Sequence, residues 1–295
     1  MHKKRGFIVI LVLFICILAS CNSKPQKITI GMIPIRDEAD MKKDFEPIRN
    51  YLEKELEIPI EIVVTDSYVD LMKEMKNGSI DIGLYGAFSY VAAESEMELT
   101  PLVVQQRNDS GTYYYSYIFT KQDSSINQLE DLKGKSFAFV DTGSTSGFVL
   151  PYALLKSRKE DFENYFSQVH YSGSHEQVAM DVLNKKADAG AISSTQLDLL
   201  ITDGKINKDD FRIIWKSEQL PLSPFVAKKE LDEDVKQNFK DAMLNLHTKL
   251  PEALVKFDSG TVKYVEIENK DYNSIRNIAT VLGKEDMYEY FLKGK

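Results

Sequence analysis

Short apolar segments that alternate with amphipathic helical segments most restrict the fold of this 295-residue chain. Residues 28–33 have the period of a β-strand, residues 44–56 place apolar side chains at helical spacing, and residues 60–64 form a second strand. A helix, a short strand and a helix follow at 68–75, 80–84 and 87–95. Because parallel strands need a crossover connection, this order predicts an α/β fold with a largely parallel sheet.

The same alternation recurs in the middle of the chain, and the C-terminal third then returns to helices. The second set contains strands at 135–140 and 187–192 with helices at 147–156 and 177–183, and the returning helices are 232–249 and 272–282. A chain that builds one lobe, then another, and then returns crosses between them twice.

This repeat predicts a bilobal α/β fold with a hinge of two segments. We place the crossings near Tyr117–Lys121 and Pro221–Val226. The first lobe would combine residues 28–118 with 225–295, and the second would span 121–221. Lobe closure about such a hinge is the expected motion.

The N-terminus has the pattern of an export signal. Basic residues at 3–5 precede an apolar run at 7–18, which is shorter than the roughly 20 residues that a membrane span needs. The sequence Leu18-Ala19-Ser20-Cys21 follows and resembles a bacterial lipobox, which implies cleavage before Cys21 and a lipid on its sulfur. Residues 1–20 would be the signal peptide and 21–27 a tether at the extracytoplasmic membrane face. An ordinary signal peptide with an incidental cysteine is the alternative.

Loss of residues 1–20 would change the cysteine count and the charge. Cys16 would leave with the signal, so Cys21 alone would remain and no internal disulfide could form. The mature chain would carry 34 basic side chains, three fewer than the 37 of the full chain, against 45 acidic ones, a net charge of −11. This balance argues against a nucleic-acid partner, and an anionic ligand would depend on local hydrogen-bond donors.

One segment combines a strand end, three hydroxyls and a helix start. Ser144, Thr145 and Ser146 stand between the strand that ends at Val140 and the helix that begins near Gly147. The first N–H groups of a helix lack intrahelical partners and carry partial positive charge, which favours an anion. Hydroxyls add donors, and glycine permits close approach to the backbone. Plain helix capping is the alternative interpretation.

A second helix start and several tyrosines add candidate ligands. Ser174 and Gln177 have the spacing of a capping box, which places His175 at a helix start where it could donate to an anion. Tyr68, Tyr85 and Tyr115 each offer a hydroxyl on an apolar ring. A structural or surface role for the histidine, and core packing for most tyrosines, are the alternatives.

Taken together, these motifs resemble those of the phosphate, phosphite and phosphonate substrate-binding proteins of ABC transporters. The resemblance runs from about Ile28 to Phe225. Its strongest matches are Asp141-x-x-Ser144-Thr145-Ser146-Gly147-x-x-x-Pro151, Tyr68 ahead of the segment 80–90, Gly173-Ser174-His175 and the segment 220–224.

The resemblance implies a periplasmic-binding-protein type II fold with a hinge. It further implies that Ser144, Thr145 and Ser146 hold the ligand headgroup, and that residues matching His175, Tyr68 and Tyr115 complete the cleft. The implied protein is a monomeric lipoprotein without a cofactor, which binds a small phosphorus oxyanion and delivers it to an ABC permease.

One departure from the family pattern concerns the ligand. Aminophosphonate binders carry an acid soon after the strand that follows the histidine, whereas this chain has Ser193-Ser194-Thr195-Gln196 there. A buried ammonium without a counter-charge is costly, which favours phosphate, phosphite or a simple alkylphosphonate over 2-aminoethylphosphonate. Glu218 and Asp198 are the acids that could rescue amine binding.

Two other classes of function are weighed against this interpretation. For an enzyme, the sequence has no P-loop, no Gly-x-Ser-x-Gly elbow and no His-Glu-x-x-His motif. The other alternative is a binding protein or sensor of the same fold for an amino acid or a vitamin precursor. A ligand amine would then call for a carboxylate in the cleft.

Overall fold

The structure is a computed structural model that describes residues 26–293, apart from the side chains of 284–286. The predicted signal peptide, Cys21 and the last two residues of the predicted first lobe lie outside the described residues. Within 26–293, none of the helices has the length and apolar character needed to cross a membrane. The described part of the chain contains thirteen strands, at β1 (Ile28–Met32), β2 (Ile60–Val64), β3 (Ile82–Leu84), β4 (Leu99–Arg107), β5 (Tyr113–Tyr114), β6 (Ser116–Lys121), β7 (Ser136–Phe139), β8 (Gln168–Tyr171), β9 (Ala189–Ser193), β10 (Phe211–Lys216), β11 (Leu220–Pro221), β12 (Pro224–Lys228) and β13 (Thr261–Glu266).

The helices lie close to their predicted positions. A π-helical turn at Thr145–Val149 precedes α4, and short 3₁₀ turns occupy Leu129–Leu132, Lys208–Asp210 and Asn269–Tyr272. The first helix begins earlier than predicted because Asp37 caps it by accepting from the Asp40 N–H group. The α-helices are α1 (Glu38–Leu56), α2 (Tyr68–Lys76), α3 (Ala87–Ala93), α4 (Leu150–Ser157), α5 (Phe162–Tyr165), α6 (His175–Leu183), α7 (Ser194–Thr202), α8 (Glu233–Lys249), α9 (Pro251–Phe257), α10 (Asn273–Leu282) and α11 (Lys284–Lys293).

Two mixed sheets form the cores of two lobes. The six-stranded sheet has the order β13-β4-β12-β3-β1-β2, and we call it and its helices the first lobe. The five-stranded sheet has the order β10-β6-β9-β7-β8 and defines the second lobe. The prediction of a largely parallel sheet is wrong, because only β1, β2 and β3 in one sheet and β7, β8 and β9 in the other pair in parallel. The other strands run antiparallel to their neighbours.

The chain passes between the two sheets at residues 108–115 and 217–223. There β5 and β11 pair with each other in a two-stranded ribbon, so the two passages lie side by side. The predicted first crossing, Tyr117–Lys121, lies a few residues too late because those residues belong to β6 of the second lobe. The alternation of side chains in this segment is that of a β-strand and does not mark a crossing. The predicted second crossing, Pro221–Val226, overlaps the observed passage.

The last two helices, α10 and α11, contact both lobes. Phe291 on α11 is fully buried, and its ring centroid lies 6.1 Å from that of Phe88 on α3 in the first lobe. The Tyr290 hydroxyl donates to Glu163 of the second lobe at 2.5 Å. The C-terminal helices therefore pack across the junction between the lobes as well as against the first lobe.

Candidate functional site

A small cavity lies between the lobes, and residues from both lobes and from both passages line it. Four helical segments begin at its wall, at Tyr68, Thr145, His175 and Ser194. Among the described residues that line it, none is a lysine or an arginine. Any anion in this cavity would be held by hydrogen-bond donors and helix N-termini, which carry partial positive charge.

The three consecutive hydroxyls lie together in the cavity wall. Ser144, Thr145 and Ser146 are all buried and line the cavity. Ser144 also caps the helical run, because its hydroxyl accepts from the Gly147 N–H group at 3.0 Å. The run opens with a π-helical turn, a geometry that is frequent at functional sites. Capping and exposure to the cavity are thus both present, so the two interpretations of this segment do not exclude each other.

Gly147 serves packing. A Cβ atom at this position would lie 2.3 Å from Val140 Cγ2 and 2.8 Å from the Ser144 hydroxyl. Gly147 does not line the cavity, and the expectation that it admits the ligand stays a prediction. Its hydrogen side chain lets the helical run pack on the preceding strand.

Two hydrogen bonds join the lobes beside the hydroxyls. The Thr145 hydroxyl accepts from the Phe88 N–H group at 2.8 Å, and so caps α3, which has no side-chain cap of its own. Asp141 accepts from the Tyr68 N–H group at 3.4 Å and from the Gly143 N–H group at 2.7 Å. Burial nevertheless raises the pKa of Asp141 to about 6. These contacts hold the starts of α2 and α3 against the second lobe.

His175 is buried at the start of α6, and its side chain lines the cavity. Its Nδ1 accepts from the Ser193 N–H group at 3.2 Å, and the backbone N–H group of His175 donates to the Ile35 carbonyl across the cleft at 3.1 Å. Burial lowers the pKa of His175 to about 3. The neutral ring therefore carries its proton on Nε2, which makes it a hydrogen-bond donor without charge.

The tyrosines separate into two groups. Tyr68 lines the cavity, as Ser144 does, whereas Tyr85 and Tyr115 do not line it. Tyr85 is fully buried with its hydroxyl 3.4 Å from Met75 Sδ, and the Tyr115 hydroxyl accepts from Gln219 at 3.3 Å. Tyr114, the neighbour of the predicted Tyr115, lines the cavity. Tyr114 is the last residue of β5 and Tyr115 lies between β5 and β6, and the sequence does not show which of the two faces the cleft.

Sequence reasoning missed two polar residues of the first lobe. Gln105 on β4 and Asp258 after α9 are both buried and line the cavity. They are far from the hydroxyl segment in the sequence, and no local motif marks them, whereas Ser223, which also lines the cavity, lies in the matched segment 220–224. The acids considered from the sequence are elsewhere: Glu218 and Asp198 do not line the cavity.

The second-lobe residues that stand where aminophosphonate binders carry an acid are uncharged here. Ser193, Thr195 and Gln196 line the cavity, and the hydroxyls of Ser193 and Thr195 are hydrogen-bonded at 2.9 Å. Within residues 26–293, no cluster of three or more histidine, cysteine or carboxylate groups could hold a metal ion. The described site is built for hydrogen bonding.

The two lobes, the hinge and the cavity between them define a solute-binding protein. Residues 30–272 match the sequence profile of the family described as the periplasmic phosphonate substrate-binding proteins of ABC transporters. The chain belongs to this family, as the motifs predicted. Since members of this family are binding components of transporters, the prediction that the chain is not an enzyme is confirmed.

Individual relatives agree with this assignment. The chain is 29% identical over 281 residues to the phosphate-import protein PhnD of Mycolicibacterium smegmatis, covering 88% of this chain and 87% of the relative. It is 27% identical over 238 residues to the phosphonates-binding periplasmic protein of Escherichia coli, covering 79% and 70%. The structure of PhnD1 from Prochlorococcus marinus in complex with methylphosphonate matches with a TM-score of 0.79 at 21% identity, covering 88% and 100%. This likeness confirms the bilobal α/β fold class.

Proposed function

We propose that this protein captures phosphite, phosphate or a short alkylphosphonate outside the cytoplasm and delivers it to an ABC permease. The observation that carries the proposal is the cavity between the lobes, where Ser144, Thr145, Ser146 and His175 supply neutral donors at two helix starts. Tyr68 and Tyr114 add two phenolic hydroxyls from the other side. Such a set can surround an oxyanion on several sides at once.

Lobe closure is part of the proposal. Lys205 of the second lobe contacts Asp40 of the first lobe at 2.6 Å and Glu176 of its own lobe at 2.7 Å. With the Thr145 and Asp141 contacts, this ion pair supports a closed arrangement of a lobe at 28–118 and 225–295 and a lobe at 121–221. The passages between the sheets, at residues 108–115 and 217–223, lie near these proposed boundaries. Ligand entry then requires these contacts to open.

A thermal-shift panel tests the ligand class. Phosphite, phosphate, methylphosphonate, 2-aminoethylphosphonate and sulfate are added to the purified domain that begins at residue 26. A ligand present at about 100 times its dissociation constant raises the free energy of unfolding by about 2.7 kcal/mol. We expect this stabilisation with at least one phosphorus oxyanion and not with sulfate. No stabilisation by any phosphorus compound would contradict the proposed function.

We further propose that Cys21 anchors the mature protein to the membrane through a lipid. The motif Leu18-Ala19-Ser20-Cys21 supports this, together with a polar segment at 22–27 that is long enough to act as a tether. Cys21→Ser is expected to release the protein from the membrane fraction or to block its processing. Cys16→Ser, which changes the other cysteine, serves as the matched control. Unchanged fractionation and mass of the Cys21→Ser protein would contradict the anchor.

A further inference from the structure

The first-lobe wall of the cavity contains a carboxylate that is already paired. Asp258 lines the cavity, and its Oδ1 accepts from Arg107 Nη1 at 3.1 Å. Arg107 is only 4% exposed in its side chain and does not line the cavity, so it approaches Asp258 from behind the wall. The guanidinium opposes the negative charge that Asp258 would otherwise present to an anionic ligand, although its Nε also lies 3.5 Å from Asp109 Oδ1.

Arg107 is held in this position by several other contacts. Its Nη1 also donates to the Ser259 carbonyl at 2.7 Å, and its Nη2 lies 3.8 Å from Asp198 Oδ2 of the second lobe. A Cβ atom on Gly260, whose φ is +85°, would lie 2.5 Å from Nη2. Backbone and side chains thus fix the guanidinium, and rotating it away from Asp258 would break hydrogen bonds in a buried site.

The other polar groups on the cavity wall are neutral. Gln105 and Ser223 face the cavity from the first lobe and the passage, and Gln196 faces it from the second lobe. An ammonium group on the ligand would lose its water in the closed cleft and meet no free carboxylate there, which is costly. A ligand without an amine does not incur this cost.

We propose that Arg107 is a specificity-determining residue, which excludes aminoalkylphosphonates by withholding Asp258 from the ligand ammonium. The inference rests on the proposed function, and it adds that phosphonates with an amino group bind weakly to this site. It assigns to an arginine outside the cavity a role in selectivity that the cavity residues alone do not explain. Of the acids considered from the sequence, Glu218 has no part in it, and Asp198 contacts Arg107 but does not line the cavity.

The test compares 2-aminoethylphosphonate with ethylphosphonate, which has the same carbon chain without the amine. Calorimetry at about pH 8 keeps Asp258 ionised in the wild-type protein, where burial raises its pKa to about 6 while Arg107 acts to lower it. The wild-type protein is expected to bind ethylphosphonate at least about tenfold more tightly. Arg107→Met is expected to shift this ratio by about tenfold or more toward 2-aminoethylphosphonate.

Three further variants make the result specific. In the double variant Arg107→Met with Asp258→Asn, the shift in the ratio is expected to disappear, because the freed carboxylate is its cause. Asp258→Asn alone is expected to leave the ratio unchanged, since its amide oxygen can still accept from Arg107. Arg276→Met removes an arginine that pairs with Glu94 away from the cavity, and is the matched control.

The outcomes separate this inference from the proposed function. If Arg107→Met binds ethylphosphonate and the ratio does not move, or if the wild type prefers 2-aminoethylphosphonate, the role of Arg107 is overturned. If Arg107→Met does not fold, a loss of 2-aminoethylphosphonate affinity in Asp258→Asn would overturn it, because Asp258 would then already hold the amine. An unchanged ratio in Asp258→Asn supports it. Failure of the wild type to bind any phosphorus oxyanion would contradict the proposed function.

Discussion

Replacing Ser144, Thr145 and Ser146 together with alanine is expected to lower the affinity for phosphite or methylphosphonate by at least about a thousandfold. All three hydroxyls are buried in the wall of the cavity. A hydrogen bond to a charged group contributes about 1.5–3 kcal/mol, and each 1.4 kcal/mol is about tenfold in affinity. Calorimetry on the purified domain measures the loss directly.

The controls distinguish lost ligand contacts from lost structure. Ser144 caps the helical run and Thr145 caps α3, so the triple variant also loses stability, which a thermal melt records. Ser146→Ala alone is expected to cost about tenfold or more in affinity with a smaller change in melting temperature. Ser125→Ala changes an exposed hydroxyl in the same lobe and is expected to change neither. Full affinity in the triple variant would remove these hydroxyls from the binding site.

Replacing His175 with leucine is expected to change both affinity and the pH dependence of stability. The loss of the Nε2 donor removes about 1.5–3 kcal/mol of binding, which is roughly tenfold to a hundredfold. The Ser193 N–H group also loses its acceptor, which lowers the free energy of unfolding by about 1–3 kcal/mol at neutral pH. Calorimetry and chemical denaturation measure the two effects separately.

The pH effect has a definite sign. Burial lowers the pKa of His175 from its ordinary value of 6.5 to about 3, so below pH 6.5 the unfolded chain binds a proton that the folded chain does not bind. The wild-type protein therefore loses stability as the pH falls through this window, by about 2 kcal/mol between pH 7.5 and 5 relative to His175→Leu. Because the free energies of unfolding of the two proteins are subtracted at each pH, the contributions of the other titrating groups largely cancel. A difference between the two proteins that is constant with pH would show that His175 is not buried in its neutral form.

Local patterns predicted the parts of the site that are contiguous in sequence. The hydroxyls at 144–146 follow a strand end and open a helical run, so their position at the cavity wall follows from capping and from the unpaired N–H groups. His175 was placed at a helix start for the same reason, and the structure has it there. The tyrosines were harder to predict, because Tyr114 is the last residue of β5 and Tyr115 directly follows it, and no local rule selects which of the two faces the cleft.

The sequence by itself determined the α/β class, the two-lobe organisation and the segment at 144–146, because these depend on periodicity, helix capping and chain order. Only the tertiary structure decided the tautomer of His175, which depends on the Ser193 N–H group, and the cap of α3, which Thr145 supplies from the other lobe. It also placed Asp258 in the cavity wall beside Arg107, residues that are 151 positions apart in the sequence. Contacts between residues so far apart in the sequence form only when the returning chain packs against the first lobe. Local sequence propensities do not determine which buried charged residues then pair with each other.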